Sequence, residues 1–206
     1  SAFLKPLCVK RKMNRGRIST IMICRAGIFA ALYVALTMPF GELAFGPFQI
    51  RPSEALTILP LFYAEAVPGL YVGCILANLL SQYGVYDILL GSLATLLAAC
   101  CTYAVGRLFK NSVVRVLVGG IFPVLFNAFI VPAVMILGGL PVAYWYQVLS
   151  FLLTESVWVY ALGFPLYYTI AALIKKNVKG STPYTLKDLR AAEHGKKKAD
   201  AADKAE

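Results

Sequence analysis

The chain has 206 residues, 59% of them hydrophobic and only 15% charged, with a mean hydropathy of +0.70 and a formal net charge of +10. Soluble domains are about half apolar and about a quarter charged, so this composition fits a chain whose solvent is lipid and excludes a soluble enzyme. The excess of cations would otherwise point to nucleic acid, but the cations are gathered at the two ends and in one internal turn.

Residues 1–17 form a basic tail in which Met13 is the expected native start. The first apolar segment runs from Ile18 to Met38 and is expected to stop at Pro39. It is too long for a secretory signal and no small-residue cleavage site follows, so a retained anchor is expected. Two adjacent rows of small residues run along it, Ala26 with Ala30 and Gly27 with Ala31 and Ala35, giving a smooth face on which another helix can approach closely. After the loop Phe40 to Pro52 comes a short segment, Ser53 to Tyr63, with Ser53 as its expected cap and Glu54 in its first turn. The third segment, Val67 to Tyr83, carries Gly69, Gly73, Ala77 and Ser81 four apart and presents Tyr71, Asn78 and Gln82 on one face. Both of these are short for the roughly 20 residues that cross a hydrocarbon core.

The fourth segment is Ile88 to Leu108, and the fifth, Val113 to Leu137, holds Asn127 alone in an apolar run. The sixth, from Val142 to Ile174, is longer than a bilayer needs, so an interfacial start at Tyr144 to Gln147 or a kink at Pro165 is expected. A basic polar tail, residues 175–206, contains the only histidine, His194.

Cation positions set the topology. Lys5, Lys10, Arg11, Lys12, Arg15, Arg17 and Arg25 precede or open the first helix, Arg107, Lys110 and Arg115 flank the turn between the fourth and fifth, and nine follow Ile174. With six helices all three groups fall on one side, which the positive-inside rule makes cytoplasmic. Only Arg51 falls elsewhere, in the outer loop with Glu42 and Glu54 near it. The expected fold is therefore an all-α integral membrane protein with six transmembrane helices over residues 18–174 and both termini cytoplasmic.

The residues exclude several chemistries. One histidine in a polar tail leaves no Ser-His or Cys-His pair and no histidine-based zinc site in the membrane body, so no metal is expected there. Five cysteines without C-x-x-C spacing read as free thiols in apolar helices. There is no phosphate-binding G-x-x-x-x-G-K-[ST] run, so any ATP-driven motor belongs to another subunit.

Five acids lie in the membrane body: Glu42, Glu54, Glu65, Asp87 and Glu155. An intramembrane acid is by default a site candidate. Helix starts, turns or the loop account for the first four, whereas Glu155 lies well inside a hydrophobic helix. Gln147, Phe151, Glu155 and Trp158 follow helical spacing and are expected to share a face that can hold a flat polar molecule. With Asn78, Tyr71 and Asn127 they describe a polar cavity between the third, fifth and sixth helices, capped by the loop Phe40 to Pro52.

Three runs carry a family resemblance: FGPFQIRPSEALTILP from Phe45, GCILANLL from Gly73 and DILLGSLATLL from Asp87. Together with Glu155 and the run ALGFPLY from Ala161, they resemble the QueT family of queuosine precursor transporters, over about Arg17 to Lys175. The resemblance implies a substrate-binding S component of an energy-coupling factor (ECF) transporter in the bacterial cell membrane, with an S-component-like bundle and no cofactor. Its implied partners are a transmembrane T subunit, which would meet Ala26, Ala30, Ala31 and Ala35, and two cytoplasmic ATPases. The implied substrates are 7-deazaguanines, such as 7-aminomethyl-7-deazaguanine or its nitrile precursor. On chemical grounds Glu155 is the candidate for the guanine edge, with Glu54, Trp158 and Tyr71 for the aminomethyl group and the ring. An S component for another vitamin and a proton-coupled secondary transporter remain the alternatives.

Overall fold

The computed structural model describes residues 20–46, 48–109, 111–141 and 143–180. The N-terminal tail, Lys110, Val142 and the tail beyond residue 180, with His194, lie outside the described residues, as do the side chains of Glu42 and residues 176–180. The described residues contain helices and no strand. The chain divides into two compact units, residues 1–167 and residues 168–206. The first holds the helical body; of the second, the end of the last helix is described.

Helix α1 spans Thr20–Thr37 and passes into a single 3-10 turn, Met38–Phe40, at Pro39, where a proline stops the α ladder. A short helix α2, Gly41–Phe45, follows inside what reads as loop in the sequence. The next segment, Pro52–Leu61, is a ten-residue 3-10 helix rather than an α-helix. Prolines at its first position and at Pro60 remove two backbone donors. The tighter winding, about 2.0 Å per residue, carries the chain further than an α-helix of equal length. Residues Ser53 to Leu61 are all buried, so this backbone is shielded from lipid by protein, the condition for irregular structure at membrane depth. Ser53 does not cap it: the first flanking residue is Arg51 with no side-chain cap, and the Ser53 hydroxyl instead accepts from Thr37 Oγ1 at 2.8 Å.

Helix α3 spans Ala66–Asn78, and a turn takes up Leu79 to Gly84, so Ser81 and Gln82 lie beyond the expected helix faces. A π segment, Asp87–Gly91, leads into α4, Ser92–Leu108, and α5 spans Ser112–Leu137. Asn111 caps α5 by accepting from the Val113 N–H at 3.1 Å. Helix α6, Tyr144–Ser156, continues through a π segment, Val157–Leu162, into α7, Gly163–Gly180. In place of the expected kink at Pro165, the regular winding is interrupted just upstream, over Val157–Leu162, and Pro165 lies inside α7. Among the described residues four stretches are long and apolar enough to cross a membrane, Thr20–Phe40, Asp87–Leu108, Ser112–Leu137 and Tyr144–Lys175, and Ala66–Asn78 is a shorter apolar helix.

The two small-residue rows of α1 have different neighbours. Gly69 and Gly73 of α3 press against the backbone at Ala26 and Ala30: a Cβ at Gly69 would lie 2.7 Å from the Ala26 oxygen, and one at Gly73 2.9 Å from the Ala30 oxygen and 2.8 Å from Tyr33 Cβ. Ala30 is accordingly buried, whereas Gly27, Ala31 and Ala35 are exposed. Gly73→Ala is therefore expected to cost about 1–3 kcal/mol through overpacking. Gly27→Ala, with nothing within 4 Å of the new carbon, should be tolerated within about 0.5 kcal/mol. Thermal unfolding of the two variants in detergent checks the contrast.

Candidate functional site

The buried polar residues converge on Arg51. The Arg51 side chain is 4% exposed and its guanidinium is held on several sides. Nε donates to the Ala44 carbonyl at 2.7 Å, one terminal nitrogen donates to Asn78 Oδ1 at 3.3 Å, and the same nitrogen lies 3.7 Å from Asp87 Oδ2. The Phe45 ring lies beneath it, 4.7 Å from the guanidinium carbon to the ring centroid. Asn78 is fixed in turn by donating to the Asp87 carbonyl at 2.9 Å. Gly91 makes room for this pairing, since a Cβ there would lie 2.4 Å from Asp87 Oδ1.

Glu54, one turn into the 3-10 segment, is fully buried, and protein donors engage both of its oxygens. Tyr33 of α1 donates to Oε1 at 2.6 Å, and Asn127 of α5 donates Nδ2 to Oε2 at 3.2 Å. Glu155 of α6 is 1% exposed and lies within electrostatic reach of Glu54, Arg51 and Asn127. Asn127 is its hydrogen-bonding neighbour, although neither Glu155 oxygen has a bond of regular geometry among the described residues. Three buried carboxylates, Glu54, Asp87 and Glu155, thus surround a single guanidinium.

The loop ahead of Arg51 is locked on both sides. Ile50 N–H donates to the Leu43 carbonyl at 2.9 Å, and Tyr83 hydroxyl donates to the Phe45 carbonyl at 2.8 Å. Ala44 and Phe45 pack with Tyr83, with Ala128, Val131, Val134 and Met135 of α5, and with Phe151 of α6. The expected capping loop is therefore a folded plug seated on an apolar cluster beside the polar one.

Of the residues singled out in the sequence, Glu54, Asn127 and Glu155 come together, and Asn78 joins them through Arg51. Gln147 is buried on α6 on the line that continues through Phe151 and Glu155. That line ends at Val159, fully buried, and not at Trp158, which is only partly buried. The π turn starting at Val157 changes the angular step per residue, so the spacing of three that aligns Trp158 in a regular helix no longer does. Tyr71 is partly buried near the start of α3, two turns before Asn78 and about 10 Å along the axis at 1.5 Å per residue, away from the Arg51 cluster. Sequence reasoning missed Tyr33, Arg51 and Asp87 as members of the cluster. Arg51 left a signal as the one cation outside the three basic groups, and Asp87 as one of the five acids of the membrane body.

A set of lipid-compatible helices closed around a buried cluster of ionisable side chains defines an integral membrane protein built around an internal polar site, the arrangement of membrane transport proteins. The chain belongs to the QueT transporter family, whose model matches residues 23–172. It is 39% identical over 79 residues to the queuosine precursor transporter QueT of Lactococcus lactis subsp. cremoris, a stretch covering 37% of this chain and 46% of that relative. No solved structure matches.

Proposed function

We propose that this chain is the substrate-binding S component of an ATP-driven ECF importer in the bacterial cell membrane, and that it captures a 7-deazaguanine queuosine precursor. Family membership supports a transporter of a queuosine precursor. The choice of substrate within that class rests on one observation: three buried carboxylates share one buried guanidinium, and while Tyr33 and Asn127 bond Glu54 and Arg51 pairs with Asp87, Glu155 has no regular hydrogen bond among the described residues and only Asn127 as a hydrogen-bonding neighbour. Buried charge of one sign is expensive unless it is balanced. A ligand that brings a cation and neighbouring N–H donors balances it. 7-Aminomethyl-7-deazaguanine brings both, with an ammonium on its substituent and two adjacent donors on its guanine edge for the Glu155 carboxylate. The nitrile precursor brings only the donors.

The proposed topology counts the buried 3-10 segment and α3 as the second and third of six transmembrane segments. Residues 18–174 then form the binding domain, between a cytoplasmic tail at 1–17 and another at 175–206. A T subunit and two ATPases would supply the energy; of the four residues implied for the T-subunit face, Ala31 and Ala35 are exposed, with Gly27 in the same row, whereas Ala26 and Ala30 pack against α3 and are withdrawn from it. Trp158 and Tyr71 remain candidates only for aromatic contact at the edge of the site. No catalytic role is assigned to any residue. A proton-coupled carrier with Glu155 as its proton site is the second reading, and uptake that persists without the ATPase subunits would favour it.

The test is thermal stabilisation of the purified chain against a panel of deazapurines, purines and vitamins. The expected result is a clear shift with 7-aminomethyl-7-deazaguanine, a smaller one with the nitrile and none with guanine-unrelated vitamins. A shift with another vitamin and none with either deazaguanine would overturn the substrate assignment.

A further inference from the structure

Gln49 stands two residues before Arg51, on the locked loop. Its side chain is 1% exposed, and neither its Nε2 nor its Oε1 has a hydrogen-bond partner among the described residues. Its backbone has a φ of 39°, making it the one non-glycine residue of positive φ among those described. A left-handed glutamine is uncommon and costs free energy, as does burying a primary amide with no partner. The loop holds it there regardless: Gln49 N–H donates to the Gly46 carbonyl at 3.1 Å, and Ile50 and Arg51 are pinned on its far side. Gln49 lies two residues from Arg51 along the chain, and both side chains are buried.

We infer that Gln49 reads the ring edge of the substrate that carries N9, so that the site accepts a free 7-deazaguanine base and rejects its N9-substituted forms, nucleosides included. This rests on the reading of the site proposed above. A 7-deazaguanine has lost the N7 acceptor and keeps three polar features around its rings. The neighbouring N1–H and exocyclic N–H donors suit a carboxylate, the role given to Glu155. The O6 acceptor asks for a single donor. The remaining edge pairs an acceptor, N3, with a donor, N9–H, one carbon apart. A primary amide is complementary to that pair, with Nε2 donating to N3 and Oε1 accepting from N9–H. A carboxylate cannot donate to N3, and a guanidinium cannot accept from N9–H. With Glu155 on the donor pair, the N3 and N9–H edge is where an amide with both atoms unused makes two bonds. A substituent on N9 removes the donor and fills the space that the amide oxygen occupies.

The test is isothermal titration of the full chain in nanodiscs with 7-aminomethyl-7-deazaguanine and with its 9-methyl derivative. The unaltered chain is expected to bind the free base about 100-fold or more tightly than the 9-methyl compound, because a site built around a hydrogen bond strongly rejects the analogue that lacks it. In Gln49→Leu the free base should weaken about 10- to 100-fold while the 9-methyl compound changes by less than about threefold, so that discrimination collapses. Free base and 9-methyl base binding within about threefold of each other in the unaltered chain would overturn the inference and leave the substrate assignment standing. That measurement requires no variant to fold. Unchanged affinity of Gln49→Leu for the free base would overturn it in the same way. Failure of the unaltered chain to bind either compound would remove the substrate assignment, and this inference with it.

Discussion

Glu155→Gln is expected to move two measurements in opposite directions. Affinity for 7-aminomethyl-7-deazaguanine should fall about 100-fold, because charge-assisted hydrogen bonds are worth roughly 1.5–3 kcal/mol each and the amide offers one acceptor where the carboxylate offers two. The ligand-free protein should become more stable, since the substitution keeps the shape of a side chain that is 1% exposed while removing its repulsion from the Glu54 carboxylate. Titration calorimetry reads the first effect and thermal unfolding without ligand the second. A carboxylate serving only the fold would give the reverse pattern, with stability lost and affinity kept. The opposed signs separate a binding group from a structural one, which a loss of binding alone would not.

The second large effect concerns the fold. Arg51→Met is expected to cost about 3–5 kcal/mol, the usual consequence of removing one partner from a buried ionic cluster. It strands Asp87, which is fully buried, and takes the donor from the Ala44 carbonyl that ties α2 to the loop. The expected readout is poor recovery of monodisperse protein and a sharply lowered Tm. Arg51→Lys should recover little, because a single ammonium cannot reach Ala44, Asn78 and Asp87 together. Adding Asp87→Asn to Arg51→Met should restore part of the loss, and the double-mutant cycle measures how much of it is the stranded charge. Unaltered thermal stability in Arg51→Met would show that the cluster holds nothing together.

How far the sequence could be read depends on which regularity each element obeys. The first, fourth and fifth segments follow one period and end at clear signals, and their bounds fall within a few residues of Thr20–Thr37, Ser92–Leu108 and Ser112–Leu137. Gln147, Phe151 and Glu155 line up because α6 is regular as far as Ser156. Trp158 falls off that line because the period changes one residue earlier, and no pattern of apolar residues announces a π turn. The ten-residue 3-10 helix was concealed in a similar way: Pro52 and Pro60 mark its limits, but a run buried on every side has no periodicity from which to choose a winding.

The cluster itself was half visible. Glu155, Glu54, Asn127 and Asn78 stand out as polar residues in apolar surroundings, and that contrast is a local property of sequence. Arg51 sits in a loop where polar residues are ordinary, and Asp87 sits at a helix start where an acid is ordinary. Their burial results from α2, the α3–α4 turn and the 3-10 segment folding over one another, a long-range outcome. Tyr33 was hidden by the small residues around it, which drew attention to the smoothness of α1 and away from the hydroxyl that donates to Glu54.

The charges around Arg51 also have an order in time. Synthesis runs from the N-terminus, so Arg51 and Glu54 emerge almost together and Asp87 follows on the far side of α3. At that stage the guanidinium already has its acidic partners. Glu155 arrives only with α6, near the end of the membrane body, and brings a negative charge for which the chain supplies no further cation within the described body except Arg25, Arg107, Arg115 and Lys175. Arg25 pairs with Glu65, and Arg115 donates to the Leu61 carbonyl. The nascent protein therefore settles its early helices around a core with one acid more than its cation, and the insertion of the last helix doubles that excess.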